Sequence, residues 1–197
     1  MQLTDLLVLC TSNVARSPLL AELLRAAAER RGQSEVAIAS AGVDASVGEP
    51  AATGSRRVAQ ALGISLEGHR SMPVMMVDAA GASLVLVMSR AHRTDVGRRY
   101  PDLSERTFTL RELLVLLERA AADGALARAV EATAPGSCER LRAVAAIAHD
   151  RRPARGRRRL DIPDPIRAGQ AEYDALGEEF SRACEALEDV LFGPEGT

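Results

Sequence analysis

The stretch from Leu3 to Ala27 constrains the fold of this 197-residue chain most tightly. Residues Leu3 to Cys10 read LTDLLVLC, a nearly continuous apolar run. Such a run suits a strand buried on both faces of a parallel sheet. Thr11 to Arg16 follow, and Ser17-Pro18 then opens a helical pattern. Ser17 is placed as the N-cap and Pro18 at the first helical position. Leu19, Leu20, Leu23, Leu24 and Ala27 form an apolar stripe, and Gly32 ends the helix.

The same alternation continues along the chain. Glu35 to Ala41 reads as a second strand, closed by Gly42, and Ser55 to Leu62 as a helix after the turn-rich Gly48 to Gly54. Ser83 to Met88 (SLVLVM) is a third strand, with a helix expected from Ser89 to Arg99. Arg106 to Leu110 is a shorter strand, and Arg111 to Arg119 and Ala171 to Leu191 read as helices. Strands alternating with helices predict an α/β layer structure around a parallel sheet. In such folds function gathers at the carboxyl ends of strands, and the first such end is Cys10. With aromatic residues at 3% and no Trp, the core must be mostly Leu, Val, Ile and Ala.

One stretch breaks the pattern. Ala120 to Arg159 is rich in Ala and then in Arg, with Pro135-Gly136 and Pro153 inside it. A helix is expected over Ser137 to His149. The whole chain, 1–197, reads as one domain with an insertion or mobile excursion at about 120–159. Arg151 to Arg159 (RRPARGRRR) reads as a solvated linker, the alternative being a cationic stretch that steers anionic substrates.

Charge and cysteine usage exclude several classes. The balance of 25 basic against 27 acidic residues argues against a nucleic-acid binder. Cys10, Cys138 and Cys184 are widely spaced, and His69, His92 and His149 are scattered, so neither a zinc site nor a disulfide framework is expected. No apolar stretch is long enough to span a membrane, and Leu6 to Leu9 is too short for a signal segment. These features read as a reduced, cytoplasmic protein.

The chemistry concentrates between the first strand and the first helix. Cys10-Thr11-Ser12-Asn13-Val14-Ala15-Arg16-Ser17 places a thiol, then an arginine and a serine, on one loop. A loop of this length can turn successive backbone N–H groups onto one point, which makes a nest for a tetrahedral oxyanion. The helix N-terminus adds partial positive charge, and Arg16 can grip two anion oxygens. The same field favours a nucleophilic Cys10 thiolate, with the Ser17 hydroxyl placed to donate to it. A proton donor for the leaving oxygen is also needed, and the candidate is Asp164 in the proline-pinned Asp161-Ile162-Pro163-Asp164-Pro165, with Asp161 as the fallback.

Together these residues resemble the low-molecular-weight protein-tyrosine phosphatase family. That family's loop reads C-x-G-N-x-C-R-S-P, and this chain has CTSNVARSP from Cys10 to Pro18. Ser40-Ala41-Gly42, His69-Arg70-Ser71, Val87 to Arg93 (VMSRAHR) and Asp164-Pro165 are further landmarks. The resemblance covers about Leu3 to Arg119 and Asp161 to Leu191. It implies a three-layer α/β sandwich whose four-stranded parallel sheet, order 2-1-3-4, is flanked by helices, with the phosphate-binding loop after the first strand. Cys10 would form a phosphocysteine intermediate, Arg16 would bind the equatorial oxygens, and Asp164 would be the general acid. Asn13, Ser40 and His69 would hold the loop in shape. No metal or other cofactor is implied, because loop amides and Arg16 supply the charge. The expected partners are a phosphorylated protein or a small phosphomonoester, with inorganic phosphate as product.

This chain departs from that pattern at three places. Ser12 stands where the family has Gly, and Ala15 where it has a second loop Cys. Ile166-Arg167 follow Asp164-Pro165 where aromatic residues usually wall the phosphotyrosine slot. Alternatives are therefore a small-molecule phosphatase and a protein-arginine phosphatase, although Val14 is closer to tyrosine-directed members than the Thr typical of arginine-directed ones. A thiol-dependent arsenate reductase would need two further cysteines close together after the third strand, and the chain has none between Cys10 and Cys138. A non-catalytic anion-binding scaffold would have no use for Cys10, Arg16, Ser17 and Asp164 together.

Overall fold

The computed structural model describes residues 4–153 and 160–194. Its strands are β1 (Leu6–Cys10), β2 (Ile38–Gly42), β3 (Leu84–Val87) and β4 (Thr107–Thr109). All pair in parallel, in the order β2-β1-β3-β4. The helices are α1 (Arg16–Arg30), α2 (Thr53–Ala61), α3 (Arg90–Arg99), α4 (Leu110–Ala122), α5 (Ala125–Glu131), α6 (Cys138–Asp150) and α7 (Gln170–Phe192). The expected α/β architecture and strand order are both present.

The continuous apolar run of β1 is explained by its two covered faces. Leu6, Val8 and Cys10 point to one side, with Leu84, Leu86, Met88 and Phe108, and meet the buried stripes of α1, α4, α6 and α7. Leu7 and Leu9 point to the other side, with Ala39, Ala41, Val85 and Val87, and meet Val74, Val77, Val96 and Leu103. Each fully buried Leu or Val contributes about 1.5–3 kcal/mol, so the central strands are rigid ground for what hangs on their carboxyl ends. In register, Cys10 lies opposite Gly42 and Leu9 opposite Val87.

The start of α1 differs from the sequence expectation. The helix begins at Arg16 with Ala15 in the cap position, and no side chain caps it. Ser17 lies inside the first turn, where its hydroxyl turns to the loop instead of to the helix N–H groups. At the other end Gly32, with φ +70, follows the last turn as expected. By contrast α4 is capped as its sequence allows: Thr109 accepts from the Glu112 N–H and Glu112 accepts from the Thr109 N–H.

The stretch from 120 to 153 is built in. Leu141, Val144, Ala145 and Ala148 of α6 are buried in the same core as β1 and β3. Arg140, 3% exposed, donates to Val130 O and Thr133 O and so satisfies carbonyls at the end of α5. Arg152 lies with its guanidinium 4.1 Å from the centre of the Phe108 ring, bonds Glu112, and donates to the carbonyls of Ser104 and Thr107. Arg151 pairs with Asp123 at 2.6 Å. These two arginines of the 151–159 run are therefore structural, and the rest of the run, Arg155, Arg157, Arg158 and Arg159, lies outside the described residues.

Candidate active site

The loop between β1 and α1 is held from outside by its carbonyls. Cys10 O accepts from Val43 N, Thr11 O from Asp44 N, and Val14 O from Ala52 N. Asn13 O is bonded by the His69 ring Nε2 at 2.7 Å, and Ala15 O accepts from the Ser55 hydroxyl at 3.1 Å. In a planar trans peptide the C=O and the following N–H point opposite ways. Carbonyls turned outward therefore turn the N–H groups of Thr11, Ser12, Val14, Ala15 and Arg16 inward. That is the nest expected of an oxyanion site, at the N-terminus of a helix.

Asn13 holds the turn. It is buried, with φ +55, a left-handed conformation that Asn tolerates better than most residues. Its Nδ2 donates to Ser17 Oγ at 2.9 Å and to Ser40 Oγ at 3.0 Å, and its Oδ1 accepts from Met72 N at 2.9 Å. The predicted network of Asn13, Ser40 and His69 is thus assembled by geometry. Burial lowers the pKa of His69, partly offset by its bond to Asn13, so a neutral ring donates Nε2–H to the Asn13 carbonyl.

Cys10 Sγ lies at the centre of this frame, 2% exposed. It receives the Asn13 N–H at 3.3 Å and sits 3.0 Å from Ser17 Oγ. Ser17 Oγ already accepts from Asn13, and its single proton has two destinations: Cys10 Sγ, or Ala41 O at 3.3 Å. A thiol can donate to Ser17 Oγ while Ser17 donates to Ala41. A thiolate can instead draw the Ser17 proton to itself, so the same residues serve both states of the sulfur.

Arg16 and Asp164 are brought together from opposite parts of the chain. The Arg16 side chain is 6% exposed and ion-pairs with Asp164, whose side chain is 40% exposed. Arg16 Nη1 also donates to Ile162 O at 3.0 Å and Nη2 to Thr11 Oγ1 at 3.3 Å. The Asp164 loop is fastened to the sheet: Ile162 N donates to Met88 O at the end of β3, and Arg111 Nη1 donates to Asp161 O while gripping Glu179 with its other nitrogens. Asp161, the fallback acid, instead accepts from Arg90 N at 2.8 Å at the start of α3. Its carboxylate is thereby directed to the α3 helix terminus, where negative charge is stabilising.

The sequence reading left His92 without a role. Its ring Nε2 is 3.0 Å from Thr11 Oγ1, and its backbone N–H donates to the capping Ser89. Burial, and then the Arg16 charge, lower its pKa to about 4. The only sequence signal was its position in VMSRAHR after the third strand. Tyr173, downstream of the proline loop, is 7% exposed and lies so close to Gly54 that a Cβ there would meet its ring at 2.4 Å. It is a packing residue between α7 and α2. Exposed Ile166 follows Asp164 and Pro165 instead.

Comparison with known proteins bears on this geometry. The profile of the family described as low molecular weight phosphotyrosine protein phosphatase matches residues 5–124. A protein-arginine-phosphatase of Geobacillus stearothermophilus is 33% identical over 109 residues, 55% of this chain and 70% of that protein. The low molecular weight protein-tyrosine-phosphatase Etp of Escherichia coli strain K12 is 33% identical over 107 residues, 54% of this chain and 69% of that protein. Among solved structures, the YwlE arginine phosphatase from Geobacillus stearothermophilus superposes with a TM-score of 0.62 at 25% identity, covering 94% of this chain and 91% of its own. The low molecular weight protein tyrosine phosphatase from T. tengcongensis superposes with a TM-score of 0.66 at 24% identity, covering 93% and 97%.

Proposed function

The chain belongs to the low molecular weight phosphotyrosine protein phosphatase family, and from that premise we propose that it hydrolyses phosphotyrosine in proteins with Cys10 as nucleophile, Arg16 as anion clamp and Asp164 as general acid. The observation that carries this reading is a single convergence: Cys10 Sγ inside a nest of inward N–H groups, closed over by an arginine that touches the acid loop.

In the first step the Cys10 thiolate attacks phosphorus. The phosphoryl oxygens take the loop N–H groups of Thr11, Ser12, Val14, Ala15 and Arg16 and the guanidinium of Arg16, which oppose the charge that builds in the transition state. Taking Arg16 draws it from Asp164; the carboxylate freed from its cation takes up a proton from solvent water and passes it to the departing oxygen as that oxygen's bond to phosphorus breaks. In the second step Asp164 removes a proton from water, which attacks the phosphocysteine. The sulfur–phosphorus bond breaks, and thiolate and inorganic phosphate are released. Ser17 and the Asn13 N–H stabilise the sulfur at both ends of the cycle. The reaction fits a reducing compartment such as the cytoplasm, where the thiol persists.

A second substrate reading has its own support. The similar chains include arginine phosphatases as well as tyrosine phosphatases, and the residue after Asp164-Pro165 is aliphatic Ile166. The deciding experiment compares kcat/KM for a phosphotyrosyl peptide with that for the same peptide carrying phosphoarginine, using wild type and Cys10→Ser. Preference for phosphotyrosine, abolished in Cys10→Ser, supports the proposal. Preference for phosphoarginine replaces the substrate, and undiminished turnover by Cys10→Ser overturns the mechanism.

A further inference from the structure

We propose that His92 is a positioning residue: it fixes the Thr11 hydroxyl, and through it the orientation of the Arg16 guanidinium. The inference rests on the reading of Arg16 as the anion clamp.

The guanidinium of Arg16 has few ways of being held in plane. Nη1 is anchored on Ile162 O, Nη2 on Thr11 Oγ1 and on Asp164, and Nε has no hydrogen-bond partner among the described residues. The Asp164 side chain must release Arg16 during the reaction, whereas the backbone of Ile162, in the same loop, is tied to Met88 O, so the contacts that persist are Ile162 O and Thr11 Oγ1. A threonine hydroxyl rotates freely unless a second group fixes it. His92 Nε2, 3.0 Å away, is that group.

The histidine has little other reason to be there. It is only 8% exposed, and its Nδ1 has no partner among the described residues. Leaving a buried ring nitrogen unmet carries a desolvation cost that an apolar side chain of the same volume would avoid. The ring's polar contact among the described residues is Thr11. It is neutral across the working range, because burial and Arg16 oppose its protonation. A neutral ring adds no second cation beside Arg16 and acts by direction, not by charge. With Nε2–H donating, Thr11 Oγ1 accepts from both His92 and Arg16, and its own proton points away from both.

The test is a double-mutant cycle on Thr11→Val and His92→Phe, the latter keeping a ring in the site. The readouts are kcat/KM for p-nitrophenyl phosphate, the Kd of inorganic phosphate, and Tm. Each single change should lower kcat/KM and weaken phosphate binding by about tenfold, the worth of one well-placed hydrogen bond. The double variant should lose about the same tenfold, because both changes break one chain of contacts. Thr11→Ser and His92→Asn, which keep the hydroxyl and a side-chain donor, should recover most of the loss. If His92→Phe retains wild-type values, or if the losses multiply to a hundredfold, the proposal is wrong. Should His92→Phe fail to fold, His92→Asn and Thr11→Val still decide: equal and large losses for both would overturn it. Phosphate affinity is read without turnover, so it separates failure of this inference from failure of the chemistry assigned to Cys10.

Discussion

A methyl group added at Gly42 should disable the phosphate loop from behind. Gly42 ends β2, directly across from Cys10 in the ladder. A Cβ built there would stand 2.4 Å from the Thr11 carbonyl oxygen, 2.7 Å from the Ala45 Cβ and 3.0 Å from the Asn13 nitrogen. Ordinary contact begins at 3.4 Å, so the Thr11 peptide must retreat by about 1 Å. It has nowhere soft to go. Thr11 O is bonded to Asp44 N, Asn13 is fixed by Ser40 and Met72, and β2 is held by its ladder and by the Gly42 N–H on Met72 O. Catalytic groups tolerate displacements of about 0.5 Å, and a misplacement near 1 Å can cost roughly 10²-fold. Gly42→Ala should therefore lower kcat/KM for p-nitrophenyl phosphate by about 10²-fold. Overpacking of this kind costs about 1–3 kcal/mol, which in a chain this long lowers Tm by roughly 2–12 °C. The assay is steady-state kinetics beside thermal unfolding, with Gly68→Ala as control, since a Cβ at Gly68 meets nothing within 4 Å. A Gly42→Ala enzyme with wild-type kcat/KM, at whatever Tm, would refute the claim that β2 and the loop share one rigid wall.

Other outcomes follow from other contacts. Asp164→Asn should cut kcat by something like 10²–10⁴-fold for a leaving group that needs a proton, and by much less for an activated aryl phosphate; equal losses on a leaving-group series would remove Asp164 from the acid role. Arg152→Met should lower stability by about 2–3 kcal/mol, because it forfeits Glu112, the Ser104 and Thr107 carbonyls and the Phe108 face, while kcat/KM stays within twofold; unchanged urea unfolding would contradict the structural role of Arg152. His92, facing Arg16, Asp164, Asp95 and Asp161, has its pKa lowered to about 4 in the folded state from an ordinary 6.5. The unfolded chain then binds the extra proton between those values, so this contribution to stability is full above pH 6.5 and is lost as pH falls toward 4. His92→Asn should flatten that part of the Tm–pH curve; an unaltered slope would show that other groups produce it.

The sequence determined what depends on neighbours along the chain. The unbroken apolar run at Leu6–Cys10 announced a doubly covered strand, and the stripe from Leu19 to Ala27 announced the helix after it. A loop between them carrying Cys10 and Arg16 is a local arrangement, so the nest was legible from the order of residues alone. Tertiary structure decided what depends on crossovers. It carried Asp164 to Arg16 across a separation of 148 residues, and it directed Asp161 to the N-terminus of α3, although both lie in the same proline-rich loop. Ser17 matched a cap in sequence, yet the helix begins one residue earlier, at Arg16, which leaves Ser17 inside a buried first turn with its hydroxyl within reach of the Cys10 sulfur and the Asn13 amide. The Ala- and Arg-rich stretch carried no clear local signal of burial, and only the open flank of the sheet gave α6 a surface for Leu141, Val144 and Ala148. His92 was the least legible of all. A lone histidine on a helix signals nothing by its spacing, and its meaning comes from a threonine 81 residues away.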